Sequence, residues 1–174
     1  MKRPTILVRP TGTHRNRLLC IFGVLALALF VSMGILVSQA GAGSQTFSVL
    51  SYGAKGDGVT NDAGAIQAAI NAAAPVGGTV TFPAGTFRVN SSVYLKSNIS
   101  ITGASGQTVL TMPAQSAQTF ILDGTNLTGV TISGLTFRAA GYTEKVSGIY
   151  MVGAQNSRAT GLRFEGLSYG MKLG

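Results

Sequence analysis

Three stretches of the chain fall into register on a single glycine: NISITG (98–103), GVTISGLTF (129–137) and NSRATGLRF (156–164), aligned at Gly103, Gly134 and Gly161. The glycine thus recurs roughly every 30 residues, within the periods of repeat architectures. A second pair, SGIYMVG (147–153) and YGMKLG (169–174), aligns Gly148 with Gly170 across a somewhat shorter interval. Apolar and polar residues alternate along the chain, from Val80 and Phe82 through Ile99 and Ile101 to Met171 and Leu173. Period two between turn residues is the pattern of short strands with one buried face. Strands that return at such intervals mark a solenoid, in which each coil buries its apolar side only by stacking on the next. A sandwich also uses short strands, spaced by about 8–12 residues. It gives no reason for one glycine to recur once per circuit. The expected fold is an all-β solenoid.

One segment breaks the alternation. In YGAKGDGVTNDAGAIQAAINAAAP (52–75) a short β-like run leads into a glycine loop and then an Ala-rich helix. Strand, glycines and helix are also the order of a dinucleotide-binding phosphate loop. That fingerprint needs a third glycine and an acidic residue about 20 positions further on. Asn61 stands at the glycine position, and no Asp or Glu occurs between Asp62 and Asp123. A calcium hand fails at Val59, where the loop would need an oxygen ligand. What remains is a turn feeding a helix, with Asn61 or Asp62 accepting from its first N–H groups. From about Ala63 to Ala74, Ile66, Ala69, Ile70 and Ala73 share one face at helical spacing. A stack of coils needs a cap over its open end. The helix is expected to be that N-terminal cap, and no cofactor or metal site is read from these residues.

The first 43 residues stand apart. Lys2, Arg3, Arg9, Arg15 and Arg17 precede LLCIFGVLALALFVSMGILV (18–37), a run without charge, and small residues follow. A basic start, an apolar run and small residues make an export signal, with cleavage after Ala40 or Ala42. The run is also long enough to span a bilayer, so an uncleaved anchor through 18–37 is the alternative. Either way the domain from residue 44 to 174 is expected to be secreted or extracytoplasmic, because the basic end stays inside. The formal charge of +8 therefore reads differently by region. Five of the 13 bases belong to the export segment, and residues 44–174 keep 8 bases and 5 acids. That mild excess gives no reason to expect nucleic acid and suits a polyanionic partner or plain solvated surface. His14 and Cys20, the sole histidine and cysteine, also lie in the leading segment. Chemistry by the rest of the chain would use neither, which excludes His- or Cys-based triads and ordinary zinc sites.

YGAKGDGVTNDAGAIQAAINAA followed by GGTVTFPAGTFRV resembles the N-terminal portion of the pectate-lyase superfamily, in its rhamnogalacturonase and epimerase-like branch. The likeness is close over residues 46–112 and continues as generic coils to Gly174. It implies a right-handed parallel β-helix. It also implies an extracellular polysaccharide partner, often acidic, and lyase, hydrolase or epimerase chemistry; calcium is implied as a cofactor by the resemblance alone. Some members serve as phage tailspikes, so a non-catalytic glycan-binding module is the alternative. Members usually carry two acids before the cap helix, where this chain has Asn61 and Asp62. Their catalytic groups lie on middle and later coils, and this chain reaches about three coils by its repeats. The expectation is a truncated β-helix whose catalytic coils lie outside the chain.

The residues offer a short set of candidates. Glycoside hydrolysis needs two carboxyls facing each other across about 5–9.5 Å. Glu144 and Glu165 lie about one coil apart and could be neighbours, or they are solvated turn residues. An eliminating lyase needs a base and a cation at the sugar carboxylate. Arg138, Lys145 and Arg163 are the nearby cations, with ordinary surface as the alternative. Tyr142, Tyr150 and Tyr169 could stack on sugar rings, or pack along strands.

Overall fold

The computed structural model describes residues 45–141 and 145–174. Residues 1–44, where an export signal is expected, lie outside them, as do Tyr142 and Glu144. Among the described residues, fourteen strands and one α-helix follow in order. β1 (Thr46–Ser48) and β2 (Asp57–Asn61) precede α1 (Ala63–Ala73). Then come β3 (Thr79–Phe82), β4 (Gly85–Arg88), β5 (Val93–Tyr94), β6 (Ser100–Gly103), β7 (Thr108–Pro113) and β8 (Thr119–Thr125). β9 (Thr131–Ser133), β10 (Thr136–Ala140), β11 (Val146–Val152), β12 (Arg158–Thr160), β13 (Arg163–Glu165) and β14 (Met171–Leu173) complete the chain. From β3 onward every third strand pairs in parallel, with β1 and β2 added at the leading edges, giving a first sheet β1-β3-β6-β9-β12, a second β2-β4-β7-β10-β13 and a third β5-β8-β11-β14. The chain is thus a parallel β-helix that contributes one strand to each sheet per turn.

The repeat read from the sequence is the pairing register. Ile101 lies opposite Ile132, and Ile132 opposite Ala159, which puts Gly103, Gly134 and Gly161 on one line. Ile149 lies opposite Met171, which aligns Gly148 with Gly170. The described residues hold four three-strand turns, beginning with β3-β4-β5, where the repeats mark about three. Phe82 stands at the register position of Gly103 and hides the first turn from the alignment.

The interior is made of rungs. Val80, Ile101 and Ile132 stack from the first sheet, Phe87, Leu110 and Phe137 from the second, and Val93, Leu122 and Ile149 from the third. All of them are buried. In the last turn Leu162, Phe164, Leu167 and Met171 are only partly buried against that core. Among the described residues every buried side-chain polar atom has a partner, as a closed core demands.

α1 occupies the place at the edge of β5 that a preceding strand would fill. It buries Ala63, Ile66, Ala69, Ile70 and Ala73, the face expected from the sequence. Its Gln67 side chain does what a strand backbone would do. Tyr94 N donates to Gln67 Oε1 at 2.8 Å, and Gln67 Nε2 donates to the Tyr94 carbonyl at 3.0 Å. A free strand edge is thereby covered, which guards against stray pairing.

The glycine loop resolves differently from one detail of the expectation. Asn61 Oδ1 does accept from Ala63 N at 3.3 Å, at the start of the helix. Asp62 makes no bond to the helix with its side chain. Its carboxylate, 1% exposed, turns back and accepts from Lys55 N at 2.7 Å and Gly56 N at 3.1 Å. Two loop amides that a bound phosphate would use are therefore taken by the protein's own anion. Gly56 adopts φ 65° and passes over the Phe87 ring so closely that a Cβ would sit 2.9 Å from it.

Candidate functional site

The sequence candidates separate onto two faces. On the outer side of the second sheet, Arg138 lies opposite Glu165 in the β10–β13 pairing. Arg138 Nε donates to Glu165 Oε2 at 2.7 Å, and Arg163 Nη1 stands 4.0 Å from Glu165 Oε1. The structure brings these three together as a surface ion-pair group, of a kind that contributes about 0–1 kcal/mol. With its carboxylate already engaged by arginine, Glu165 is poorly placed as a base. Lys145 lies elsewhere, before β11, and its Nζ donates to the Ser116 carbonyl at 2.9 Å. Glu144 lies outside the described residues, so no Glu144–Glu165 pair is placed.

The third sheet carries a different row, most of which sequence reasoning missed. Strand register sets Tyr94 opposite Asp123, Asp123 opposite Tyr150, and Tyr150 opposite Lys172. Neighbouring strands are about 4.8 Å apart, so the row runs roughly 14 Å along the stack. Tyr94 is 59% exposed. Tyr150 has the Phe120 ring on one side, centroids 4.7 Å apart at 43°, and the Lys172 ammonium 5.7 Å from its own centroid. Beside the row, Gln118 Nε2 donates to Ser147 Oγ at 2.7 Å, and Ser147 and Ser168 share a hydroxyl contact of 3.0 Å. Tyr169, 62% exposed, leads into β14.

Asp123 is the group in this row that nothing in the described residues answers. Among them no cation or hydrogen-bond donor reaches its carboxylate. Partial burial holds its pKa above the usual carboxylate value, the direction that desolvation gives to an acid without a partner. Asp57 shows the opposite case. Thr60 N and Val59 N donate to its carboxylate, with the Thr60 hydroxyl adding a third bond, and its pKa falls below the usual value. Asp57 stabilises its own loop; Asp123 stabilises nothing in view. Aromatic rings that can lie against a sugar face, beside a carboxylate that can accept from hydroxyls, form a surface suited to a glycan.

Calcium, implied by the resemblance, finds no fit in the same residues. Among the described residues no three His, Cys, Asp or Glu side chains come together. Asp57 and Asp62 spend their oxygens on backbone amides, and Glu165 on arginine. These residues do not make a calcium site.

Comparison with known proteins bears on the same region. Residues 46–140 match the family model described as rhamnogalacturonase A/epimerase, pectate lyase-like. Mannuronan C5-epimerase AlgE1 of Azotobacter vinelandii is 48% identical over 75 residues, 38% of this chain and 5% of the epimerase. This chain thus spans a small fraction of that curated relative. The A-module of the Azotobacter vinelandii mannuronan C-5 epimerase AlgE6 superposes with a TM-score of 0.60 at 26% identity, covering 73% of this chain and 41% of the module. PfbA, a surface adhesin of Streptococcus pneumoniae, gives a TM-score of 0.60 at 25% identity over 69% of this chain and 33% of the adhesin. The interleaved parallel sheets, the helix on their first edge and the match over more than half of the residues agree: the chain belongs to the rhamnogalacturonase A/epimerase, pectate lyase-like family of β-helix proteins.

Proposed function

We propose that this chain is the leading part of an exported polysaccharide-active β-helix protein, and that the glycan lies along the outer face of the third sheet. The observation that carries the reading is the row Tyr94, Asp123, Tyr150 and Lys172 in strand register. A polymer running parallel to the stack would meet a ring, an acid, a ring and a cation in succession. The similarity to alginate-modifying epimerases supports a polysaccharide partner. In this reading the described coils bind and orient the polymer, and the catalytic coils lie outside the chain. The ion-paired Arg138 and Glu165 supply no free acid and base.

The expected result is saccharide binding without turnover. Incubation with alginate, polygalacturonate and rhamnogalacturonan should give neither unsaturated product nor new reducing ends. Affinity electrophoresis should show retardation that Tyr94→Ala weakens about 2- to 10-fold, the loss of one ring-stacking contact. Turnover by these 174 residues would overturn the division between binding and catalytic coils. Export is tested separately. Secreted material should begin near Gly41 or Gly43, or the whole chain should sit in the membrane fraction. Full-length protein in the cytosol would refute both forms.

The likeness to a pneumococcal surface adhesin favours a second reading, a β-helix that binds and never catalyses. Sequence downstream of Gly174 in the reading frame separates the two. Later coils bearing a cluster of acids favour the enzyme, and coils without one favour the adhesin.

A further inference from the structure

We propose that the outer face of the first sheet binds ice, as a lattice of hydroxyl groups matched to the ordered water of a crystal surface. This function is separate from the glycan row on the third sheet and stands without it. Five stretches carry it: TFS (46–48), TVT (79–81), SIT (100–102), TIS (131–133) and RAT (158–160), paired in that order. Val80, Ile101 and Ile132, the central residues of three of them, are fully buried. Their neighbours on either side therefore face outward, because side chains alternate along a strand. Register stacks the first residues into one rank, from Thr46 to Arg158, and the third residues into another, from Ser48 to Thr160. Six threonines and three serines fill the two ranks, and Arg158 is the one exception.

A face built only to stay soluble has no reason to repeat one functional group. The other two sheets mix charges into their outer rows, with Arg138, Arg163 and Glu165 on the second and Asp123 and Lys172 on the third. The hydroxyls of the first sheet recur at about 4.8 Å from strand to strand, and at about 6.6–6.8 Å across the two ranks. Hexagonal ice repeats the oxygens of its prism face at nearly these two intervals. Waters held by one strand would thus fall into step with those held by the next, and an ordered water is nearly as good a partner as a direct hydrogen bond. None of the four pairings shifts register, whereas β2 against β4 does. The buried ladder of Val80, Ile101 and Ile132 is of the kind that keeps a sheet flat. Threonine is stiff at its first side-chain torsion, so its hydroxyl and methyl are held in place before any water arrives. A glycan is the weaker occupant, since the ranks hold none of the rings that stack on sugars.

A single ice crystal held just below its melting point in a solution of the whole chain tests the proposal. It should grow faceted instead of round, and should stop growing across a measurable gap between melting and freezing. Thr102→Lys sets a charge at the centre of the second rank. Thr102 is exposed, so this variant should keep its Tm and lose both the facets and the gap. Arg158→Thr extends the first rank to its last strand and should widen the gap, an effect that damage to the fold would not produce. Round crystals with the unaltered chain, or faceting that survives Thr102→Lys, overturn the proposal. A gap that narrows in Arg158→Thr also overturns it, because the contact would then belong to the arginine's charge. Round crystals together with a saccharide affinity that falls in Thr102→Lys would give this face to a glycan and overturn it as well.

Discussion

Truncation of Phe137 to alanine will destabilise the β-helix by about 3–5 kcal/mol, a fall in Tm of roughly 10–20 °C for a domain of this size. Phe137 is fully buried at the centre of the second sheet's inner row, between Leu110 and Phe164 in register. Its ring stacks on that of Phe164, centroids 5.4 Å apart at 17°. The neighbours belong to turns fixed by backbone pairing on all three sheets, so they cannot close far over the hole. Phe164, only partly buried, should cost roughly half as much, because much of its area already meets water. Urea unfolding with matched slopes measures both. A loss below about 1 kcal/mol at Phe137 would mean that the rungs relax freely and that stacking is not what holds the turns together.

Gly134→Ala will cost about 2–5 kcal/mol, whereas the same change at Gly161, its partner in the repeat, will cost only about 1–2 kcal/mol. Both glycines adopt left-handed backbone, φ 67° and φ 60°. An alanine therefore meets conformational strain at either. Only Gly134 also faces backbone at close range: its Cβ would lie 2.5 Å from the Gly103 carbonyl oxygen, and a Cβ on Gly103 would lie 2.6 Å from the Gly134 oxygen. Backbone atoms of two adjacent turns meet there, and neither can step aside without unzipping the first sheet. At Gly161 the nearest atom is Gly134 N at 3.7 Å. Equal losses at the two positions would refute the close approach at Gly134 and leave dihedral strain as the reason for glycine at both.

What can be read in advance follows from which features are periodic. The glycine at the end of NISITG, GVTISG and NSRATG is visible because the two-turn contact at Gly103 and Gly134 excludes any side chain. The cap face of α1 is visible because helical spacing is local. The first full turn is harder, since Phe82 occupies the glycine's place in it. The third-sheet row is harder still. Tyr94, Asp123, Tyr150 and Lys172 are unequally spaced along the chain, because loops of different length join the strands. Only strand pairing, which the sequence does not display, turns those uneven intervals into neighbours. Tyr150 stands out in the sequence as an aromatic, but its companions do not. Short-range chemistry favours Asp62 as a helix cap, yet the loop amides of Lys55 and Gly56 take its carboxylate instead.

The amide of Gln67 has a consequence for how such a chain is made. By satisfying both backbone groups of Tyr94 it finishes one end of the third sheet before any later turn exists. The ribosome delivers that end first. Each following turn then meets a template already roofed on its far side, with its partner strand a single circuit behind it. Parallel pairing is slow when the partners are distant in sequence. Here the emerging chain can add one rung at a time, in the order of synthesis and in a single direction. A protein of almost any number of turns could be built on the same beginning, which lets later coils be lengthened or exchanged without the first ones having to fold anew.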